Sequence, residues 1–143
     1  MAYEYNENDA RLVLDSSSQQ AEGILEDSNQ VDQILNEVKS RIADLPGAAA
    51  GAFANVPLMV DMIKGYITRE YAEVSPKVVA SVLGALLYLV KGKDIIPDSI
   101  PLLGLVDDIA VIALAMKINE PELEAFKTWK KENGKAGLLD SIL

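Results

Sequence analysis

The sequence of 143 residues contains no cysteine and no histidine, and these two absences exclude most familiar catalytic and metal-binding chemistry. Without cysteine the chain has no disulfide, no thiolate nucleophile and no cysteine-ligated zinc, which fits a reducing compartment. Without histidine it has no Ser/His/Asp triad and no ordinary zinc site. Any catalysis would therefore depend on carboxylates, hydroxyls or lysines, and we expect an intracellular protein.

Long hydrophobic runs are absent as well, although half of the residues are hydrophobic. A membrane-spanning helix needs about 20 consecutive apolar residues. The closest segment, residues 78–90, would cover only about 20 Å as a helix, so we interpret it as a buried core helix. The N-terminus has no basic region followed by an apolar run, and it does not resemble a secretory signal. We therefore expect a cytoplasmic location, with a peripheral membrane position as the alternative.

Basic clusters are also missing, and the net charge of −9 is unevenly distributed along the chain. Residues 1–46 contain ten acidic and three basic side chains, whereas residues 47–143 contain twelve and ten. On this basis we divide the chain into an acidic arm with an amphipathic helix (1–46) and a helical core (47–143), within a single domain. The acidic charge excludes nucleic acid as a partner. It fits a basic protein partner, or it serves only to keep the chain soluble.

The spacing of apolar residues predicts an all-α protein, a compact helical bundle around a central apolar hairpin at about residues 76–118. Residues 1–20 are polar with scattered apolar positions, so we expect a loosely attached arm with one short helix. Apolar residues spaced by three and four then form a helical face between residues 24 and 45. Its candidate partner-binding members are Ile24, Val31, Leu35, Val38, Ile42 and Leu45. This face either docks on its own domain or receives the helix of a partner.

The middle of the chain carries clear helix start and stop signals. Asn55 is a predicted N-cap for a helix that runs to about Glu73. A second helix begins at Ser75-Pro76 and ends at Gly92. Because this second helix is apolar nearly all round, we expect it at the centre of the bundle, with the other helices wrapped around it.

The last predicted helix follows a capping box formed by Asn119 and Glu122. We expect it to run to about Glu132 and to end at Gly134. The apolar residues of the tail, 138–143, would then fold back on the domain or meet a partner.

The connection between the two helices of the hairpin contains four aspartates among apolar residues and two prolines, which predict a rigid connection. Asp94, Asp98, Asp107 and Asp108 either cap turns and a helix N-terminus, or form a site for Mg²⁺ or Ca²⁺, which prefer clustered oxygen ligands. We expect no cofactor other than such a cation. Tyr88 is expected in the core, with its hydroxyl bonded to one of these aspartates.

Tyr88 followed by the run DIIPDSIPLLGLVDD at residues 94–108 resembles the signature of the YkvA-like family, a bacterial domain of unknown function. The resemblance covers about residues 78–118. The chain differs from the family pattern just upstream, where Lys91-Gly92-Lys93 replaces a Ser-Pro-apolar run. The resemblance implies a compact helical hairpin without an agreed enzymatic activity, in a family some of whose members are suspected of acting at membranes.

Three functions remain open at the level of the sequence. The first is a non-enzymatic interaction module, an immunity, antitoxin or adaptor protein, that binds a basic protein through residues 1–46. The second is a peripheral membrane protein that uses the apolar hairpin. The third is a metal-dependent enzyme built on the aspartate carboxylates. The sequence leaves the oligomeric state open.

Overall fold

The computed structural model describes residues 7–44, 53–92 and 108–142, with the side chains of residues 8–44, 53–92 and 109–133. Every regular element in these residues is an α-helix, so the all-α prediction is confirmed. The helices are α1 (Glu7–Ile24), α2 (Ser28–Ala43), α3 (Val56–Thr68), α4 (Pro76–Lys91), α5 (Asp108–Ile118) and α6 (Glu120–Ile142).

Helix α4 is the centre of the molecule. The Ser75 hydroxyl caps its first turn by accepting the backbone N–H of Lys77 at 3.0 Å, and Pro76 follows directly. Nearly every side chain from Val79 to Leu89 is buried. Helices α1, α2, α3 and α5 all pack against α4. An apolar helix of this kind is stable in water only when its neighbours cover it on all sides.

Helix α1 corrects the expectation of a loosely attached arm with one short helix. It is 18 residues long, and its packing partners are α4, α5 and α2. Its buried residues are Ala10, Val13, Leu14, Ser17 and Ala21. The sequence pattern is weak because most of these side chains are small or polar, so they give little hydrophobic signal. Small side chains on α1 allow its backbone to approach the backbone of α4 closely.

The backbones of α1 and α4 approach each other closely at Gly84. A Cβ atom added to this glycine would stand 2.7 Å from the backbone nitrogen of Ser18 and 2.8 Å from its Cα. Both distances are shorter than any van der Waals contact, so only glycine fits here without a shift of the backbone. Gly84 thus fixes how deeply α1 sits against α4.

Helix α2 begins at a well-formed cap. The Asp27 carboxylate accepts the backbone N–H of Asn29 at 3.0 Å and that of Gln30 at 3.4 Å. It also accepts the side-chain amide of Gln30 at 3.1 Å, and these hydrogen bonds hold the pKa of Asp27 below its ordinary value. Near the middle of the helix, Glu37 forms an ion pair with Lys91 of α4 at 3.6 Å.

Helix α3 ends at Thr68, earlier than the predicted end near Glu73. Arg69 adopts a left-handed backbone conformation with φ of 67°, which terminates the helix. The backbone N–H of Tyr71 then donates to the carbonyl of Gly65 at 3.0 Å. The sequence did not predict this stop because arginine is a good helix former and rarely adopts positive φ.

An aromatic cluster joins the end of α3 to α6. The ring of Tyr71 lies 4.9 Å from the rings of both Phe126 and Trp129, measured between centroids. Lys130 of α6 adds an ion pair with Asp61 of α3. Burial raises the pKa of the Tyr71 hydroxyl, and the nearby carboxylates of Glu73 and Glu122 raise it further.

The junction between α5 and α6 is held by the buried side chain of Asn119. Its amide donates to the hydroxyl of Ser81 on α4 and to the carbonyl of Ala115, both at 2.9 Å. The predicted stop at Gly134 is wrong, because the backbone of α6 continues through this glycine to Ile142. A glycine inside a helix costs only about 1 kcal/mol, so it does not by itself end one.

The close approach at Gly84 generates a test of the core. We expect Gly84→Ala to lower the free energy of unfolding by about 2 kcal/mol, because the added methyl group must displace the α1 backbone. Gly23→Ala is the matched control, since a Cβ at Gly23 would have no atom within 4 Å. That control should leave stability unchanged or raise it slightly. Urea unfolding of both variants measures the difference, and equal stability would contradict the packing.

The raised pKa of Tyr71 makes stability depend on alkaline pH. In the unfolded chain the hydroxyl ionises near pH 10, whereas in the folded protein it holds its proton to higher pH. Its contribution to stability is therefore complete below pH 10 and is lost as pH rises through the folded pKa. Unfolding followed by the fluorescence of Trp129, the single tryptophan, should show a smaller loss between pH 9 and pH 11 in Tyr71→Phe. Identical losses would contradict this.

Candidate functional site

The predicted aspartate motif is only partly within reach of the structure. Asp94, Asp98 and Asp107 lie outside the described residues, and Asp108 is the first residue of α5. Tyr88 is buried in α4, with 2% of its surface exposed. In the part of the chain that the structure describes, no three carboxylates stand close enough to hold a metal ion. The metal site therefore stays a prediction from the sequence.

The candidate partner-binding face, which runs from the end of α1 along α2, serves the protein's own core at its described residues. The buried members are Val31, Leu35 and Val38, and the half-buried ones are Ile24 and Ile42. Leu45 lies outside the described residues. Of the two roles that the sequence left open for this face, the structure therefore shows docking on its own domain. The physical reason is that the apolar helix α4 must be shielded from water, and α2 is one of the helices that pack against it.

Helix α5 has apolar residues on its exposed side as well as on its buried side. Its buried residues are Ala110, Val111, Ile112, Leu114 and Ala115. On the opposite side Ile109 is 39% exposed, Ala113 is exposed and Met116 is half-buried. These three residues are spaced by four and three positions, so they form one stripe along the helix. We call this stripe the outer face of α5.

The outer face of α5 follows from where the helix stands in the bundle. Helices α4, α1 and α6 pack against α5 and bury its other sides. In an ordinary surface helix the remaining side would be polar. Single exposed apolar residues are common, but an apolar stripe on a helix that is also apolar inside favours a binding surface.

A groove lies beside the outer face of α5, between the first turn of α3 and the facing sides of α5 and α6. Its volume is about 510 Å³. The apolar lining residues are Leu58, Ile112, Ala113, Met116 and Leu123. The polar lining residues are Asn55, Lys117, Glu120, Glu124 and Lys127. We call it the α5–α6 groove, and it shares Ala113 and Met116 with the outer face.

A second groove, between α1, the start of α4 and the junction of α5 with α6, is larger but of different character. Its volume is about 620 Å³. Most of its lining side chains are polar, including Arg11, Asp15, Glu22 and Lys77, with Ile118 at one edge. Opposite charges are interspersed along this groove, so it has the composition of ordinary solvated surface.

The two sides of the molecule differ in charge. Residues 7–44, which form α1 and α2, contain nine acidic and three basic side chains. Residues 108–133, which include the outer face of α5 and most of the lining of the α5–α6 groove, contain five acidic and four basic ones. The apolar stripe therefore lies on the nearly neutral part of the chain. An anionic surface would repel the α1–α2 side much more strongly than the α5–α6 side.

Sequence reasoning found the apolar character of α5 but missed its outer face. The periodicity of apolar residues could not distinguish the buried side of α5 from its exposed side, because residues 109–116 contain no polar side chain. One signal in the sequence could have indicated the outer face. Helices α4 and α5 are both apolar, and a chain of this length has too few other helices to cover both on all sides. The α5–α6 groove depends on contacts between distant segments, which periodicity does not report.

None of the helices in the described parts of the chain is long and apolar enough to span a bilayer. Comparison with known proteins gives a consistent assignment. Residues 78–114, which cover most of α4 and most of α5, match a family model described as "Protein of unknown function (DUF1232)". The "Uncharacterized membrane protein YkvA" of Bacillus subtilis (strain 168) is 28% identical over 104 residues, covering 65% of this chain and 98% of the relative. No solved structure matches. The chain is thus similar to the YkvA-like family, and the helical hairpin at its centre is the segment that the family model matches.

Proposed function

We propose that this protein is a non-enzymatic peripheral membrane protein that attaches to a bilayer surface through the outer face of α5. The observation that carries the proposal is the exposed apolar stripe of Ile109, Ala113 and Met116 on a helix whose other sides are buried. The free energy falls when the exposed side of such a helix enters the interface between headgroups and acyl chains.

The charge distribution supports this orientation. Because α1 and α2 are strongly acidic, they are repelled by anionic lipid and point away from the membrane. The residues around the outer face have almost no net charge. Attachment would therefore depend on buried apolar area and not on attraction to anionic lipid, and it should be insensitive to salt.

The comparisons also favour this function among those that the sequence left open. The Bacillus relative is described as a membrane protein. We place the attachment at the cytoplasmic surface of a membrane, in agreement with a chain that has no cysteine.

Replacement of Ile109 tests the proposal directly. Ile109→Asp removes part of the apolar contact and adds a charge that the interface disfavours, so we expect phosphatidylcholine vesicles to bind it about tenfold more weakly than the wild type. Leu12→Asp is the matched control, because Leu12 is 47% exposed but lies on α1. Flotation of each protein with vesicles measures the partition coefficient.

The control variant should float as well as the wild type. If Ile109→Asp and Leu12→Asp lose binding equally, the attachment does not depend on α5. If the wild type fails to float with vesicles of any composition, the proposal is wrong.

A second candidate function is binding of a basic protein through the acidic exposed surface of α1 and α2. The observation that favours it is the excess of acidic side chains in residues 7–44, most of which are exposed. Long-range attraction would speed association with a basic partner. The apolar face of α2 has no part in this candidate, since its residues pack in the core.

Charge reversal on α1 and its connection to α2 tests this second candidate. Deleting residues 1–46 would remove two helices that cover α4, so substitutions on the surface are preferable. We expect the double variant Glu22→Lys with Glu26→Lys to lose a bound protein in a pull-down from cell extract. Glu70→Lys with Glu132→Lys, at two other exposed positions, is the control and should retain it. The same set of proteins with both variants would contradict the candidate.

A further inference from the structure

We propose that the α5–α6 groove binds one zwitterionic phospholipid, with an acyl chain along its apolar floor and the headgroup at its charged rim. This inference rests on the proposed membrane attachment, because it gives the neighbouring surface a specific ligand. The occupant follows from three properties of the groove: continuity with the outer face, an apolar floor and a rim of both charges.

The groove and the outer face of α5 form one apolar surface. Ala113 and Met116 belong to the outer face and also line the groove. Once the outer face lies in the interface, the groove opens at the depth where acyl chains begin. An acyl chain can therefore move from the bilayer into the groove without leaving apolar surroundings.

The floor of the groove suits a flexible apolar ligand. Ile112 and Leu123 are buried, with 3% and 1% of their surfaces exposed, and they form a rigid base. Leu58 and Met116 are half-buried beside them. A methionine thioether adapts to irregular shapes, and the volume of about 510 Å³ lies within the range of small-molecule sites.

The rim of the groove complements a zwitterion. Lys117 and Lys127 provide two positive charges, and Glu120 and Glu124 provide two negative charges. A phosphate bound by lysine and an ammonium group bound by glutamate would use both signs. An anionic headgroup would meet the two carboxylates without a compensating partner of its own. The amide of Asn55, on the opposite wall, adds a hydrogen-bonding group.

Three of the four rim charges lie on one side of α6. Glu120, Glu124 and Lys127 are spaced by four and three positions, which places them in a row facing α5. Lys131, one turn beyond Lys127, is exposed but does not line the groove. This difference provides a matched pair of lysines for the experiment.

The test uses dihexanoylphosphatidylcholine below its micelle-forming concentration, so that single lipid molecules are offered without a bilayer. The full-length chain is labelled at its methionine methyl groups for NMR. We expect the Met116 signal to shift on titration, whereas the signals of the buried Met59 and Met62 stay in place. The matching phosphatidylglycerol should bind at least fivefold more weakly.

Two variants locate the site. Lys127→Glu should weaken binding of the monomeric lipid at least fivefold, whereas Lys131→Glu should bind as the wild type does. Ala113→Phe places a ring at the groove and should abolish the Met116 shift.

The results separate the groove from membrane attachment. A wild type that floats with vesicles but shows no Met116 shift would overturn the lipid site and leave the proposed function standing. A Met116 shift that is equal for the phosphatidylglycerol, or unchanged in Lys127→Glu, would overturn the headgroup assignment. Absence of both flotation and shift would overturn the site together with the proposed function.

Discussion

Helix α4 is apolar on nearly every side, and the need to cover it determines the arrangement of the other helices. Its side chains from Val79 to Leu89 are almost all buried, and α1, α2, α3 and α5 each cover part of it. The amphipathic α2 covers it with a conventional apolar face. Helix α1 covers it with small residues that allow close contact at Gly84. Helix α5 covers it with one side of an apolar helix, and the other side of α5 is left as the outer face. The exposed apolar surface of α5 is in this sense a consequence of the same apolar hairpin that forms the core.

Much of this fold could be predicted from the sequence, and the exceptions have physical causes. The central position of α4 followed from its composition, and its start followed from Ser75 and Pro76, whose cap the structure contains. The extent of α1 was missed because Ala10, Ser17 and Ala21 contribute contact and little hydrophobic signal. Packing of α1 on α4 depends on two positions, Ser18 and Gly84, that are far apart in the chain. Helix propensity gives no information on the contact between these two positions, since it describes each segment alone.

The site was predicted in part. The sequence identified the hairpin as the informative segment, and the family match falls on it. It also gave Val31, Leu35 and Val38 as candidates for partner binding, with docking on the protein's own domain left open, and the structure buries all three. An amphipathic pattern shows that a face must be covered but does not show by what, and here the cover is the protein's own core. Helix α5 has no such amphipathic pattern, because its buried side and its outer face are both apolar. Only the position of the helix in the bundle distinguishes them.

Membrane attachment depends most on entry of the outer face of α5 into the bilayer. Because the chain has no cysteine, a single spin label can be attached at Ile109→Cys or at Leu12→Cys without further changes. Accessibility of each label to oxygen and to a water-soluble nickel complex, measured on phosphatidylcholine vesicles, reports its depth. The label at position 109 should become accessible to oxygen and protected from nickel, while the label at position 12 should stay in water. A label at position 109 that remains as exposed to nickel on vesicles as in solution would contradict attachment through this face.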